Sequence, residues 1–127
     1  MGNRAVIRIE GESAGIYVHY NGGRDTIEPL LEVAKEYGIR GDDYGIARLT
    51  QMLGNFFGGT LSLGVAQLDE LDQANGDNGT YVVDENFNII ERLHFSGEEQ
   101  NHWNHDEIKA HIRKVNDPFF KTGVENI

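Results

Sequence analysis

The chain has no cysteine, only two prolines, and far fewer basic than acidic side chains. Without cysteine it can form no disulfide, no thiolate nucleophile and no Cys-based zinc or iron–sulfur site. With 11 Lys and Arg against 21 Asp and Glu, a net charge of -10, it lacks the clustered cations that bind phosphate backbones or anionic membranes. We therefore expect that it coats neither bulk nucleic acid nor a membrane surface.

Long hydrophobic runs are also missing. No stretch approaches the roughly 18 apolar residues of a membrane span, and residues 1–15 contain no apolar segment of the kind found in signal peptides. The length of 127 residues with 39% hydrophobic residues is typical of one domain with a modest core. We expect a soluble intracellular protein with a single domain over 1–127, in which 119–127 is a possible tail.

Hydrophobic periodicity and turn residues predict the elements of the fold. In chain order these are strands at 5–10 and 16–20, a helix starting at Asp25 or Thr26 and stopped by Gly38, a helix from the Asp42–Asp43 cap to Gly58, strands at 61–65, 80–83 and 88–95, and a helix capped by Asp106. The predicted fold is α+β: a mainly antiparallel sheet of about five strands, with two helices inserted between strands two and three and a C-terminal helix.

Metal and catalytic motifs are incomplete. His102, His105 and His111 lack the i, i+4 spacing of a helical metal pair, and the acidic loop at 69–80 fails the calcium-loop pattern. The glycines of 54–60 are spaced as in a phosphate loop, but Thr60 stands where its lysine belongs. No serine lies in a nucleophile elbow. We expect no metal, no cofactor and no catalytic residue.

Polar side chains with binding chemistry concentrate in the loop at 69–80. Asn75, Asp77 and Asn78 offer carboxylate and amide groups of the kind that pair with ribose hydroxyls or base edges. A solvated acidic turn would have the same composition. The loop is therefore a candidate ligand site with a purely structural alternative.

Arginines and phenylalanines supply the other candidate ligand contacts. Arg24, Arg48 and Arg92 could each clamp a phosphate or form a salt bridge on an acidic surface. An aromatic ring could stack on a base or belong to the core. The phenylalanines considered for this role are Phe57 and Phe87, with Phe56 and Phe95 as further candidates.

Three segments together resemble a known family of phage proteins. They are GIYVHYNGGRDTIEPLLEVAKEYG at 15–38, DDYGIARLTQMLGNFFGGTLSLGV at 42–65 and NGDNGTYVVDENFNIIER at 75–92. The chain resembles the Thoeris anti-defence proteins of the first type over about residues 5–95. These proteins are sponges for cyclic ADP-ribose-type immune signals made by bacterial TIR-domain proteins.

The resemblance implies a function and a set of site residues. It implies sequestration of a cyclic ADP-ribose isomer without cleavage in the cytoplasm of the infected bacterial host, a pocket near a subunit interface, and a homodimer that in some members builds a hexamer with a second site for cyclic oligonucleotides. Asn75, Asp77 and Arg92 match the family's binding motif. Two other functions remain open: an acidic protein–protein inhibitor or nucleic-acid mimic of a defence nuclease, and a nucleotide-processing hydrolase.

Overall fold

A computed structural model describes residues 2–122, which form an α+β domain with one five-stranded sheet and three α-helices. The elements in chain order are β1 (Ala5–Ile9), β2 (Ala14–Val18), α1 (Arg24–Glu36), α2 (Asp43–Phe57), β3 (Leu63–Gln67), β4 (Thr80–Val83), β5 (Ile89–Leu93) and α3 (His105–Asp117). A 3-10 turn follows β3 at Leu68–Glu70, and a π-helical turn follows α3 at Pro118–Thr122.

The sheet is mainly antiparallel, as predicted, but it is mixed rather than purely antiparallel. Its strand order is β3-β2-β1-β4-β5, and β1 pairs with β4 in parallel while the other neighbours are antiparallel. The segment 68–79 causes this arrangement, because it crosses the sheet beneath Gly15 and Arg8 and delivers β4 beside β1 in the same direction. Alternation of side chains locates strands but does not select their neighbours.

The placement of the helices also differs from the prediction. Gly23 rather than Asp25 or Thr26 precedes α1, and no side chain caps it. Asn104, not Asp106, caps α3, where its side chain accepts the N–H of Glu107. For α2 the predicted ends are confirmed: Asp42 accepts the N–H of Gly45, and Gly58 closes the helix at φ 76°.

The first residues of the predicted tail pack against the domain. Within the π-helical turn, Phe120 stacks on Tyr37, the residue that follows α1, with ring centroids 5.1 Å apart. The rest of the predicted tail, 123–127, lies outside the described residues.

The core lies between one face of the sheet and the helices. Strand residues such as Ile7 and Ile16 meet Leu30 of α1 and Leu49 of α2, and all four are at most 1% exposed. The helix α3 adds Ile112 to this core. No helix within residues 2–122 is long and apolar enough to cross a membrane.

Candidate functional site

A network of amide and arginine side chains forms at the end of the sheet where β1 and β4 begin. Because β1 and β4 run parallel, their N-terminal ends lie together, and the residues that precede each strand meet there. Arg24 at the start of α1 reaches the same strand ends, as do Glu99 and Gln100 from the segment after β5. We call this group the amide–arginine cluster; its members are Asn3, Arg4, Arg24, Asn75, Asp77, Asn78, Arg92, Glu99 and Gln100.

Asn75 organises the loop before β4. Its Oδ1 accepts the N–H groups of Asp77 and Gly79, and its Nδ2 donates to the carbonyls of Asp72 and Gly79, all at 3.0–3.1 Å. The residue is 4% exposed, and these bonds use both donors and both acceptor lone pairs of the amide. In this conformation Asn75 therefore shapes the loop and has no hydrogen-bonding capacity left for a ligand.

Asp77 is paired with the residue that precedes β1. Its Oδ2 accepts the Nε of Arg4 at 2.7 Å and the backbone N–H of Arg4 at 3.0 Å. The hydrogen bond from the Arg4 guanidinium, reinforced by the backbone bond, holds the pKa of the Asp77 carboxyl below its ordinary value. Asp77 therefore stays charged and can accept a ligand hydroxyl through its other oxygen.

Three amides join the two strand ends to the segment after β5. Asn78, only 1% exposed, donates through Nδ2 to Asn3 Oδ1 at 2.6 Å. Gln100 donates through Nε2 to Asn3 Oδ1 at 2.9 Å and to Asn78 Oδ1 at 3.3 Å, and it accepts from Asn3 Nδ2 at 2.9 Å. The long segment between β5 and α3 is fixed to the sheet by these contacts.

Arg92 packs on two aromatic rings. Its guanidinium carbon lies 3.8 Å from the ring centroid of Tyr81 and 4.1 Å from that of Phe95, both within cation–π distance. One terminal nitrogen donates to the carbonyl of Asn78 at 2.6 Å. These contacts restrict rotation of the guanidinium and orient its donors.

Glu99 joins two arginines. Its Oε2 accepts a hydrogen bond from a terminal nitrogen of Arg92 and another from Nη1 of Arg24, the latter at 3.3 Å. Two buried polar atoms at this point, Arg92 Nε and Glu99 Oε1, have no hydrogen-bond partner among the described residues. The Glu99 carboxylate thus lies between two guanidinium groups. Arg92 Nε could still donate a hydrogen bond, and Glu99 Oε1 could still accept one.

The remaining predicted site residues lie elsewhere. Arg48 is exposed on α2, with its guanidinium 5.4 Å from the Tyr44 ring. Phe57 packs against the core, and Phe87 is 2% exposed in the turn between β4 and β5 near Gly45. Of the aromatic candidates, Phe95 contacts the cluster.

Sequence reasoning missed Arg4 and Glu99 of the cluster, and also Tyr81, whose ring packs on Arg92. Arg4 lies three residues from a terminus, Tyr81 has the pattern of an ordinary strand residue, and Glu99 is one of many acidic residues. No local signal distinguishes them, because their contacts join residues far apart in the chain.

Residues 2–122 contain no group of three or more His, Asp or Glu side chains that could hold a metal ion. No protein-family model matches the chain, and neither a curated protein nor a solved structure matches it. Function must therefore be inferred from the residues and their geometry.

Proposed function

We propose that this protein binds and sequesters a cyclic ADP-ribose isomer, without cleaving it, and thereby blocks bacterial anti-phage signalling. The observation that carries the proposal is the convergence of Arg24 and Arg92 on one oxygen of Glu99. A carboxylate oxygen between two guanidinium groups occupies the position that a phosphate oxygen would take. The resemblance to the anti-defence family supplies the ligand class.

Ligand binding must overcome the charge of the protein. Because the chain carries a net charge of -10, a diphosphate enters against the overall field and depends on a few local cations. In the cluster, Glu99 already neutralises Arg92 and shares Arg24 with Glu28. The ligand therefore displaces the Glu99 carboxylate by a side-chain movement, while Gln100 keeps the backbone of the segment in place.

Displacement of Glu99 predicts opposite effects for two substitutions. Glu99→Ala removes the competing carboxylate and tightens ligand binding by up to about fivefold, the scale of a partly exposed ion pair. Arg92→Lys keeps the charge but loses the planar fork that packs on Tyr81 and Phe95, and binding weakens at least about tenfold. Isothermal titration of each variant with a cyclic ADP-ribose isomer measures both.

The matched control is Arg40→Lys, which changes an exposed arginine whose ion pair is with Asp42 outside the cluster. Its affinity should equal that of the wild type. If Glu99→Ala weakened binding as much as Arg92→Lys, the carboxylate would be a ligand contact rather than a competitor, and the displacement model would be wrong.

Self-association belongs to the same proposal, and the two edges of the sheet differ in a way that supports it. Residues 49–68, which include all of β3, contain no charged side chain and no proline, whereas β5 contains Glu91 and Arg92. Charges and prolines are what normally protect an edge strand from pairing. Leu61, two residues before β3, is fully exposed, and Val65 within β3 is half exposed. Two acidic copies can meet at this edge without opposing carboxylates, so we assign the homodimer interface to β3.

A further inference from the structure

A second feature, separate from the amide–arginine cluster, is a cavity lined by aromatic rings. It has a volume of about 360 Å³ and lies between the turn before α1, the end of α2 and the start of α3. We call it the aromatic cavity; its lining is Asn21, Phe56, Trp103, Asn104, Glu107, Ile108 and His111.

Three rings form the apolar part of the aromatic cavity. Phe56 and His111 meet edge to face, with ring centroids 5.6 Å apart and planes at 73°. Trp103 stays 56% exposed although its backbone is fixed, because the N–H groups of His102 and Trp103 both donate to Asp25 Oδ2, at 2.7 and 3.2 Å. Because its backbone is fixed and its indole ring is exposed, Trp103 can stack on a planar ligand.

The polar groups of the cavity restrict which ligand it can hold. Among the described residues that line it, Glu107 supplies a carboxylate and there is no Lys or Arg, so the lining disfavours a phosphate group. Asn21 can donate and accept, and Asn104, whose Oδ1 already accepts the N–H of Glu107, can donate through Nδ2. A planar heterocycle that carries both donors and acceptors uses these groups, whereas a quaternary ammonium ion does not. The volume lies within the range of small-molecule sites. We infer that the aromatic cavity binds a purine base, with Glu107 accepting from the amino group of the base.

The cavity is close to the amide–arginine cluster along two chain segments. Asn21 precedes Arg24 by three residues, and Trp103 follows Glu99 by four, so the Cα atoms of these two pairs are at most about 11 and 14 Å apart. The turn at 21–23 is held in place: Tyr81 donates its hydroxyl to the Gly22 carbonyl at 2.7 Å, and a Cβ on Gly22 would lie 2.6 Å from the Asn3 carbonyl oxygen. We therefore assign the base in the cavity and the phosphate on Arg24 and Arg92 to one ligand, a step that rests on the proposed function.

The single tryptophan makes the cavity directly observable. Adenosine, which has no phosphate, is titrated into the wild-type protein while Trp103 fluorescence is excited at the red edge of the indole absorption, where purines do not absorb. We expect a saturable change. His111→Leu and Glu107→Ala should each weaken adenosine binding about tenfold, because stacking on one ring and one charge-assisted hydrogen bond are each of that size.

Two variants serve as matched controls. Asp106→Ala removes the other acidic residue of the first turn of α3, and Phe119→Leu removes an exposed ring; neither residue lines the cavity. Both should bind adenosine like the wild type, and thermal unfolding establishes that all four variants fold.

The inference is overturned if adenosine gives no saturable change, if all four variants bind alike, or if tetramethylammonium binds in place of adenosine. A protein that binds adenosine but captures no cyclic ADP-ribose isomer would refute the proposed function and leave the aromatic cavity as a base site. The opposite result would refute the cavity alone.

Discussion

At the scale of single residues, Asn75 shows how one amide can determine the shape of a loop. It bonds to backbone groups on both sides of the turn that leads into β4, and that turn places Asp77 against Arg4. Composition allowed both a ligand contact and a purely structural turn at this position. In this structure the amide of Asn75 bonds only to the loop, and it supports the neighbouring residues that present their side chains.

Replacing this amide should destabilise the protein. Asn75→Ala leaves the buried N–H of Gly79 without its partner, and we expect the free energy of unfolding to fall by roughly 3 kcal/mol. Urea denaturation measures the change. Asn86→Ala, at an exposed position, is the matched control and should change it by less than about 0.5 kcal/mol. Equal stability of the two variants would contradict the structural role of Asn75.

The residue scale also marks what the sequence could not reveal about the site. Asn75, Asp77, Asn78, Arg24 and Arg92 were all predicted as candidates, and the structure brings them into one network. Their pairing with Arg4, Glu99 and Gln100 could not be predicted, since it depends on which strand ends meet. An arginine in a sequence does not indicate whether its partner is a ligand or a carboxylate of the same chain.

At the scale of elements, local signals were sufficient for some boundaries and not for others. The ends of α2 follow from Asp42 and Gly58 because capping and the left-handed turn involve only neighbouring residues. The parallel pairing of β1 with β4 joins Val6 to Thr80, and no local pattern encodes it. The mixed sheet, and with it the position of the amide–arginine cluster, therefore had to come from the structure.

The contact between α1 and α3 is largely polar. Glu36 accepts hydrogen bonds from Nε and Nη2 of Arg113, both at 2.8 Å. Lys109 Nζ lies 3.1 Å from a carboxylate oxygen of Glu32 and 2.9 Å from one of Glu36. Only Ile112 and Asn116 of α3 are buried. These ion pairs supplement the burial of Ile112, and they make the contact sensitive to pH.

Acid should weaken this helix contact. The Arg113 hydrogen bonds lower the pKa of Glu36 from 4.5 to about 2 in the folded chain. A carboxyl whose pKa is lower in the folded state stabilises it above the unfolded pKa, and this stability is lost as the pH falls from about 4.5 towards 2. Because the pair is partly exposed, the loss is about 1 kcal/mol or less.

Thermal unfolding of the wild type and Glu36→Gln across this pH range checks the expectation. The variant should be less stable near neutral pH, and the difference should shrink as the pH falls. A constant difference would mean that Glu36 acts by packing rather than by charge.

The uncharged edge strand gives a second test at the element scale. Val65→Lys places a charge on the half-exposed edge of β3 and should convert a dimer into a monomer, as measured by light scattering coupled to size exclusion. Ile90→Lys introduces the same charge at a similarly exposed position on β5 and should leave the dimer intact. If Ile90→Lys dissociated the dimer and Val65→Lys did not, the interface would lie at β5 instead of β3.

At the scale of the whole molecule, the net charge of -10 means that the proposed anionic ligand must enter a small number of prepared contacts. Our proposal places them where Arg24 and Arg92 share a carboxylate. Three features bring side chains to these strand ends. They are the parallel pairing of β1 with β4, the turn before α1 and the anchored segment after β5.

Capture followed by release tests the central claim most directly. The protein is mixed with a cyclic ADP-ribose isomer until the free molecule disappears from solution, then denatured by heat, and the released material is identified by mass spectrometry. Sequestration predicts recovery of the intact messenger in an amount equal to that bound. Recovery of a cleaved product would contradict the claim and identify a hydrolase, and a messenger that never leaves solution would contradict binding itself.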